Sequence, residues 1–175
     1  MITRPATPAD VPALVALVNS AYRGESSRAG WTTEADLLDG QRVDAGGIKA
    51  AIASGTDTVI LVAETTTSFL VGCVHLERQG GDCYLGMLTI RPTAQGAGLG
   101  RRLLEAAERW AMTHWAAQSV HLTVIAQRAE LIAWYERRGY VRTGEQRPFP
   151  YGDARFGVPR RDDLVFDVLR KVVSP

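Results

Sequence analysis

Apolar positions recur along the chain in two rhythms. Val11, Leu14, Val15, Leu17 and Val18 fall at three- and four-residue steps up to about Ala21, which predicts an amphipathic helix. Thr7-Pro8-Ala9-Asp10 reads as its start, with Thr7 as N-cap, Pro8 at the first helical position and Asp10 three residues past the cap. The same step returns in Leu99, Leu103, Leu104, Ala107, Trp110, Ala111 and His114, which predicts a longer helix. Glu130 to Arg138 reads as another helix, stopped by a left-handed Gly139. Between the helices lie short apolar runs: Thr58 to Glu64, Phe69 to Arg78, Asp82 to Ile90 and Ser119 to Ile125. They read as strands, joined by Met1 to Ala6 at the start and by Tyr140 to Glu145 and Leu164 to Lys171 at the end. Gly86 inside a strand marks a bulge or a close backbone approach.

Three segments carry weaker patterns. Tyr22 to Gly30 is polar and reads as a loop, after which Trp31 to Glu34 is expected to open a short helix that includes Leu37 and Leu38. A further helix is expected around Asp44 to Ala53, although Gly46 and Gly47 count against it. Arg147 to Arg161 is a long loop rich in Pro, Gly and Arg. The order β-α-α-(α)-β-β-β-α-β-α-β-β predicts an α/β (α+β) fold, a mixed sheet with helices packed on it. Short turns make antiparallel hairpins, and the two long helices can cross between parallel strands. At 175 residues, with no repeats and no linker, residues 1–175 are expected to be one domain.

Composition narrows the classes. A net charge of +1 gives no general attraction to nucleic acid or membrane surfaces, so neither partner is expected. No apolar run has the length of a signal-peptide core or a membrane span, which makes the cytoplasm the expected location. Cys73 and Cys83 flank the turn Gln79-Gly80-Gly81-Asp82. There Cys83 would face about Arg78 and Cys73 about Leu88, which places the thiols roughly 17 Å apart, too far to bridge. Free buried thiols suit a reducing compartment. His75, His114 and His121 have no metal-ligand spacing, so no metal is expected.

The chemistry concentrates in Leu88 to Arg102, LTIRPTAQGAGLGRR. A strand ends at Arg91-Pro92, a glycine-rich turn follows, and a helix begins at once. Glycines leave backbone N–H groups uncovered, and the first amides of a helix have no internal partner and carry roughly half a positive charge. An anion, most simply a phosphate, fits there. Arg101 and Arg102 occupy a first turn that ordinarily prefers acids, which an anion in the turn would explain. A nucleoside-triphosphate loop needs Gly-Lys-Ser/Thr, whereas Gly100 is followed by Arg-Arg-Leu. A dinucleotide site needs G-x-G-x-x-G and an acid ending the next strand, and both are missing.

Gln95, Gly98 and Gly100 match Q/R-x-x-G-x-G/A, which resembles the acyl-CoA pyrophosphate loop of the GNAT superfamily of N-acetyltransferases. Trp134-Tyr135-Glu136-Arg137-Arg138-Gly139-Tyr140 is similar to the family's late-helix signature. The resemblance spans nearly the whole chain. It implies a seven-stranded, mostly antiparallel sheet flanked by helices, with the fourth and fifth strands splayed apart over acetyl-CoA. It implies a pantetheine arm running along Leu88, Thr89 and Ile90, with Gln95, Gly96, Ala97, Gly98, Leu99, Gly100 and Arg101 holding the pyrophosphate. Tyr135 matches the tyrosine that gives a proton to the leaving thiolate, and a phenol near pKa 10 is not far from a thiol near about 8.5. The activity implied is transfer of acetyl from acetyl-CoA to a primary amine of a small molecule or peptide, directly, in a ternary complex. The alternative is a non-catalytic acyl-CoA-binding sensor or scaffold. A homodimer is left open.

The chain also departs from the family pattern. Arg128 stands where many members have an Asn that touches the pantetheine, and it either reaches the cofactor's phosphates or is solvated. Leu131 replaces a small residue, and Thr123 stands where some members have a glutamate base. The base is open among His75, Glu77, His121, Asp82 and a water chain. The acceptor falls to Tyr22–Asp39 and Arg147–Asp163. In the second segment Arg147, Arg155, Arg160 and Arg161 either bind an anionic group on the acceptor or meet Asp153, Asp162 and Asp163 in a solvated loop.

Overall fold

The structure, a computed structural model, describes residues 1–173. Strand β1 (Ile2–Pro5) leads into helices α1 (Val11–Tyr22) and α2 (Gly24–Ser27), the short strand β2 (Leu38–Asp39) and helix α3 (Ala45–Ala53). Strands β3 (Thr58–Glu64), β4 (Leu70–Gln79) and β5 (Asp82–Ile90) form consecutive hairpins. Helix α4 (Leu99–Trp115), strand β6 (Ser119–Ile125), helix α5 (Ala129–Glu136) and strands β7 (Val141–Pro148), β8 (Val158–Pro159) and β9 (Val165–Val172) complete the order. Seven strands make one sheet, β1-β3-β4-β5-β6-β9-β7, and the only parallel neighbours among them are β5 and β6.

Both faces of the sheet are covered at β3, so its run TVILVAE does not alternate apolar with polar. Ile60 and Val62 of β3 point to one face, where α1 and α3 bury Leu14, Leu17, Val18 and Ile48. Leu61 and Ala63 point to the other, where α4 and α5 bury Leu103, Leu104, Ala107 and Ile132. Fully burying a side chain of this size stabilises the fold by roughly 1.5–3 kcal/mol. Cys73 and Cys83 are buried, free and divided between the two layers.

The β4–β5 turn is Gly80-Gly81, with Cys83 opposite Arg78. Cys73 lies opposite Thr89 rather than Leu88, because β5 carries one extra residue between Gly86 and Thr89. The bulge is at Met87, whose φ of 54° is left-handed.

The helix expected from Trp31 through Leu38 is absent, and a short helix, α2, lies instead in the segment expected to be loop. One turn survives, with the amides of Leu37 and Leu38 donating to the Glu34 carbonyl at 2.9 and 2.8 Å. Tertiary contacts override the local pattern. Leu38 leaves the turn for a third small core with Ile125, Phe149 and Leu164. It then pairs in β2 with Pro159 of β8. This pairing zips the two acceptor segments together, and Arg160 adds two hydrogen bonds to Asp39 at 2.8 and 2.6 Å.

Candidate functional site

Pairing of β5 with β6 lasts only three residues, from Asp82–Ser119 to Tyr84–His121. Beyond it the bulge turns β5 away, and the strands open into a wedge. A cavity of about 380 Å³ fills the wedge between Leu88–Ile90, the glycine turn and α5. A second cavity, of about 150 Å³, lies beneath the β2–β8 segments. Tyr22, Leu88, Arg128, Leu131 and Tyr135 form the wall that the two share.

The turn before α4 is built to receive an anion. Gly96 and Gly98 sit at φ of 87° and 74°, which side chains rarely adopt. The amides of residues 96–101 have no partner among the described residues, and Arg102 is the first to close on a carbonyl, that of Gly98 at 3.1 Å. Gly100 differs from the other two glycines. A Cβ there would meet the Trp134 ring at 3.5 Å, an ordinary van der Waals contact, and its backbone is not left-handed. Around the turn stand Arg101, Arg137 and Arg138. Arg138 stacks on Trp134 at 3.6 Å, and its Nε is buried without a partner. Burial, then its neighbours Arg137 and Arg101, lower its ionisation from the ordinary value. Bare amides beside three guanidiniums fit a diphosphate.

Gln95 holds the turn from within. Its amide nitrogen donates to the Ile90 carbonyl at 3.1 Å, and its oxygen accepts from the Trp31 amide at 2.9 Å. Leu88, Thr89 and Ile90 line the cavity, as do Gly96, Gly98, Gly100 and Arg101. Ala97 and Leu99 contribute amides to the turn but no side chain to the wall, and Leu99 packs on the core. The Leu88 carbonyl already accepts from the Tyr22 hydroxyl at 2.9 Å. One lone pair remains there for a ligand's donor.

Tyr135 stands in the shared wall. Its ring is 5% exposed and packs edge-on against Trp134 and Tyr140. Its hydroxyl has no hydrogen-bond partner among the described residues and faces the cavities. Burial raises its pKa well above the ordinary phenol range, so the group is protonated throughout the physiological range. The same cause pushes the thiols of Cys73 and Cys83 up to about 12, and neither thiol reaches a cavity wall.

Arg128 is not solvated: its side chain is 9% exposed and lines both cavities. It is buried at the start of α5 and donates to Glu34 at 2.8 Å and to the Thr32 hydroxyl at 2.9 Å. Glu34 also accepts from Arg23 at 2.5 Å. The local pattern around Glu34 reads as a helix start, so this buried network was missed, and nothing in the neighbouring residues signalled it.

None of the four side chains suggested as a base lines either cavity. Asp82 accepts from Ser119 at 2.6 Å and Arg170 at 2.8 Å, at the closed end of the wedge. Glu77 takes the Gln79 amide at 3.2 Å. His75 and His121 are half-buried, and burial lowers the ionisation of both. Thr123 does face the second cavity, 3.4 Å from the Tyr84 hydroxyl. The loop arginines are matched at the surface: Arg155 with Asp153, Arg160 with Asp39, Arg161 with Asp163 and Arg147 with Glu145.

No helix among the described residues is long and apolar enough to cross a membrane. A family model described as the acetyltransferase (GNAT) family matches residues 17–140, more than half of the chain. Comparison with curated proteins returned no match. Among solved structures, the ribosomal-protein-alanine N-acetyltransferase of Brucella melitensis has a TM-score of 0.71 at 22% identity, covering 98% of this chain and 99% of that one. The Salmonella typhimurium protein yncA, described as an acetyltransferase and determined with its cofactor acetyl-CoA, gives 0.71 at 20% identity over 100% and 95%. The spermidine N-acetyltransferase of Vibrio cholerae, in complex with CoA and spermine, gives 0.71 at 16% identity over 98% and 94%. At such identities the likeness concerns the fold. The family model carries more, because its span takes in the splayed strands, the glycine turn and the tyrosine helix together: the chain belongs to the GNAT acetyltransferase family, enzymes whose acyl donor is acetyl-CoA.

Proposed function

We propose that this chain moves an acetyl group directly from acetyl-CoA to a primary amine held in the second cavity, with both substrates bound together and Tyr135 as proton donor. The observation that carries this reading is the shared wall, where an unpartnered, protonated hydroxyl stands between a cavity fit for the cofactor and a separate one. The cofactor supplies a thioester. The chain supplies a seat for its diphosphate at residues 96–101 and a strand edge at Leu88–Ile90 along which its arm can lie. Holding amine and thioester together is worth far more than any single group.

In the transfer a C–N bond forms and the C–S bond breaks. The nitrogen gives up one proton and the sulfur takes one, delivered from the Tyr135 hydroxyl. A phenol raised by burial would be a poor donor to a solvated thiolate. A thiolate formed in the same dry wall is raised too, as the protein's own thiols at about 12 illustrate. The one carboxylate on the second cavity's wall, Glu34, is already held by Arg23 and Arg128, so water in the second cavity takes the nitrogen's proton. A covalent acetyl-enzyme is disfavoured by two cysteines that are buried, protonated and away from both cavities.

Release of free thiol, followed with acetyl-CoA and a panel of amines, tests the reading. Intersecting double-reciprocal lines are expected. Parallel lines would overturn direct transfer, and tight acetyl-CoA binding with no turnover on any amine would overturn catalysis.

A further inference from the structure

Charge around the second cavity does not balance. Arg23, Arg42 and Arg128 line it against the single carboxylate of Glu34, a surplus of two positive charges. Arg23 and Arg128 hold opposite oxygens of that carboxylate, and their side chains are only 5% and 9% exposed. Each keeps a buried Nε with no partner. Arg42 makes no ion pair among the described residues, and its guanidinium lies 5.6 Å from the centre of the Tyr22 ring. Burial alone would raise the Glu34 carboxyl, but Arg128, Arg42 and Arg23 hold it below its ordinary value, so the carboxylate is already fully committed.

Surplus guanidiniums as buried as those of Arg23 and Arg128 are unfavourable unless an anion joins them. Unlike the exposed arginines of the 147–161 loop, these three have no spare acids beside them. The remaining wall is aromatic, formed by Tyr84, Phe149, Phe156 and Phe166, which suits an apolar body behind the anionic head. Arg128 and Tyr135 both stand in the wall between the cavities, so an anion held by these arginines leaves an amine a few bonds away near the opening.

We infer that the acceptor is a small primary amine that also carries an oxyanion, seated on Arg42 beside Arg23 and Arg128, and that polycationic amines are refused. This rests on the acetyl-transfer reading above and names the substrate class of that site. The oxyanion is a carboxylate, as in an amino acid, or a phosphonate.

The test uses L-amino acids, their C-terminal amides, the matching decarboxylated amines, aminoalkylphosphonates and spermidine, assayed by thiol release. A carboxylate or phosphonate member is expected to exceed its uncharged partner in kcat/KM by at least about 10- to 100-fold, the range of a charge-assisted pair; whichever of the two leads identifies the oxyanion. R42Q should remove most of that preference through KM, while the affinity for acetyl-CoA stays within about two-fold. Equal turnover of acids and amides, preference for spermidine, or an unchanged preference in R42Q would overturn the inference while leaving acetyl transfer intact. Should no amine turn over, acetyl transfer fails separately, and the anion seat is still decided by calorimetry with N-acetyl amino acids in the presence of CoA. Binding that weakens at least about tenfold in R42Q supports it; no binding, or equal binding, overturns it.

Discussion

The hydroxyls of Tyr22 and Tyr135 and a few guanidiniums line the cavities, and each is set by what surrounds it. Tyr135 is a helix residue whose ring satisfies the core while its hydroxyl is left without a partner. Tyr22, on the same wall, is already used, donating to Leu88. Replacing Tyr135 by Phe keeps the ring contacts with Trp134 and Tyr140 and removes only the donor. The expected result is a fall in kcat of about 100-fold, the scale of a lost general acid, with acetyl-CoA affinity within about two-fold. The pH profile follows from the direction of the shift. A phenol raised by burial stays protonated as pH climbs, so activity should not fall off as the pH passes the ordinary phenol value of about 10, where an unshifted tyrosine would lose half its donors. On the acid side, kcat/KM should track the pKa of the acceptor amine, because no histidine lines either cavity and the one carboxylate that does among the described residues, Glu34, is held by Arg23 and Arg128. Two acceptors of different pKa, measured side by side, check this. The matched arginines make a contrasting case: Arg155→Gln should leave KM for the acceptor unchanged within about two-fold, since Arg155 is exposed and already engaged by Asp153.

At the scale of elements, the site depends on segments that the local pattern describes poorly. The turn at Trp31–Leu37, the two-residue pair β2–β8 and the start of α5 are joined by Glu34, which binds Arg23 and Arg128 at once. Glu34→Gln would leave two buried guanidiniums uncompensated, and the expected loss of stability at pH 7 is about 3–5 kcal/mol. Its sign with pH is fixed by the lowered carboxyl. The contribution is fully present above about pH 5 and is lost as pH falls through the depressed folded value, so the melting curves of wild type and variant should converge in acid. A constant gap down to pH 3 would contradict this network. These contacts join residues some 90 positions apart, Glu34 with Arg128. A helical rhythm is a statement about neighbours, which is why Trp31–Leu38 reads as helix when tertiary partners have drawn it into a turn and a strand. The glycine turn was legible for the opposite reason: its conformation, its bare amides and the helix after it are all encoded within a dozen consecutive residues. Arg137 and Arg138 lay inside a recognised motif, but their reach to the turn depends on how α5 packs beside α4, and no local pattern reports that.

For the whole molecule, the wedge is a consequence of topology. One parallel pair in an otherwise antiparallel sheet, held for three residues and then turned aside by a bulge at Met87, leaves a gap that both helical layers frame without filling. The succession of strands along the chain and the helices packed on the sheet were readable from the apolar rhythms, whereas the order of strands across the sheet was not; the extra residue that shifts Cys73 onto Thr89 was signalled only by the neighbouring Gly86. The gap holds one cavity on the α4 side and one beneath β2–β8, which share Tyr135 in their walls; the proposed reaction assigns the first to the cofactor and the second to the acceptor.

The central claim is that bare amides at the start of α4 seat the diphosphate of acetyl-CoA, and Gly100→Glu tests it without confusing binding with folding. Its backbone is ordinary, a Cβ there makes only van der Waals contact, and an acid in the first turn favours a helix. Calorimetric titration of acetyl-CoA into wild type and variant, with melting temperatures alongside, should show an unchanged or raised melting temperature and an affinity weakened at least tenfold, about 1.4 kcal/mol. No binding heat in the wild type, or undiminished affinity in a folded variant, would contradict the account.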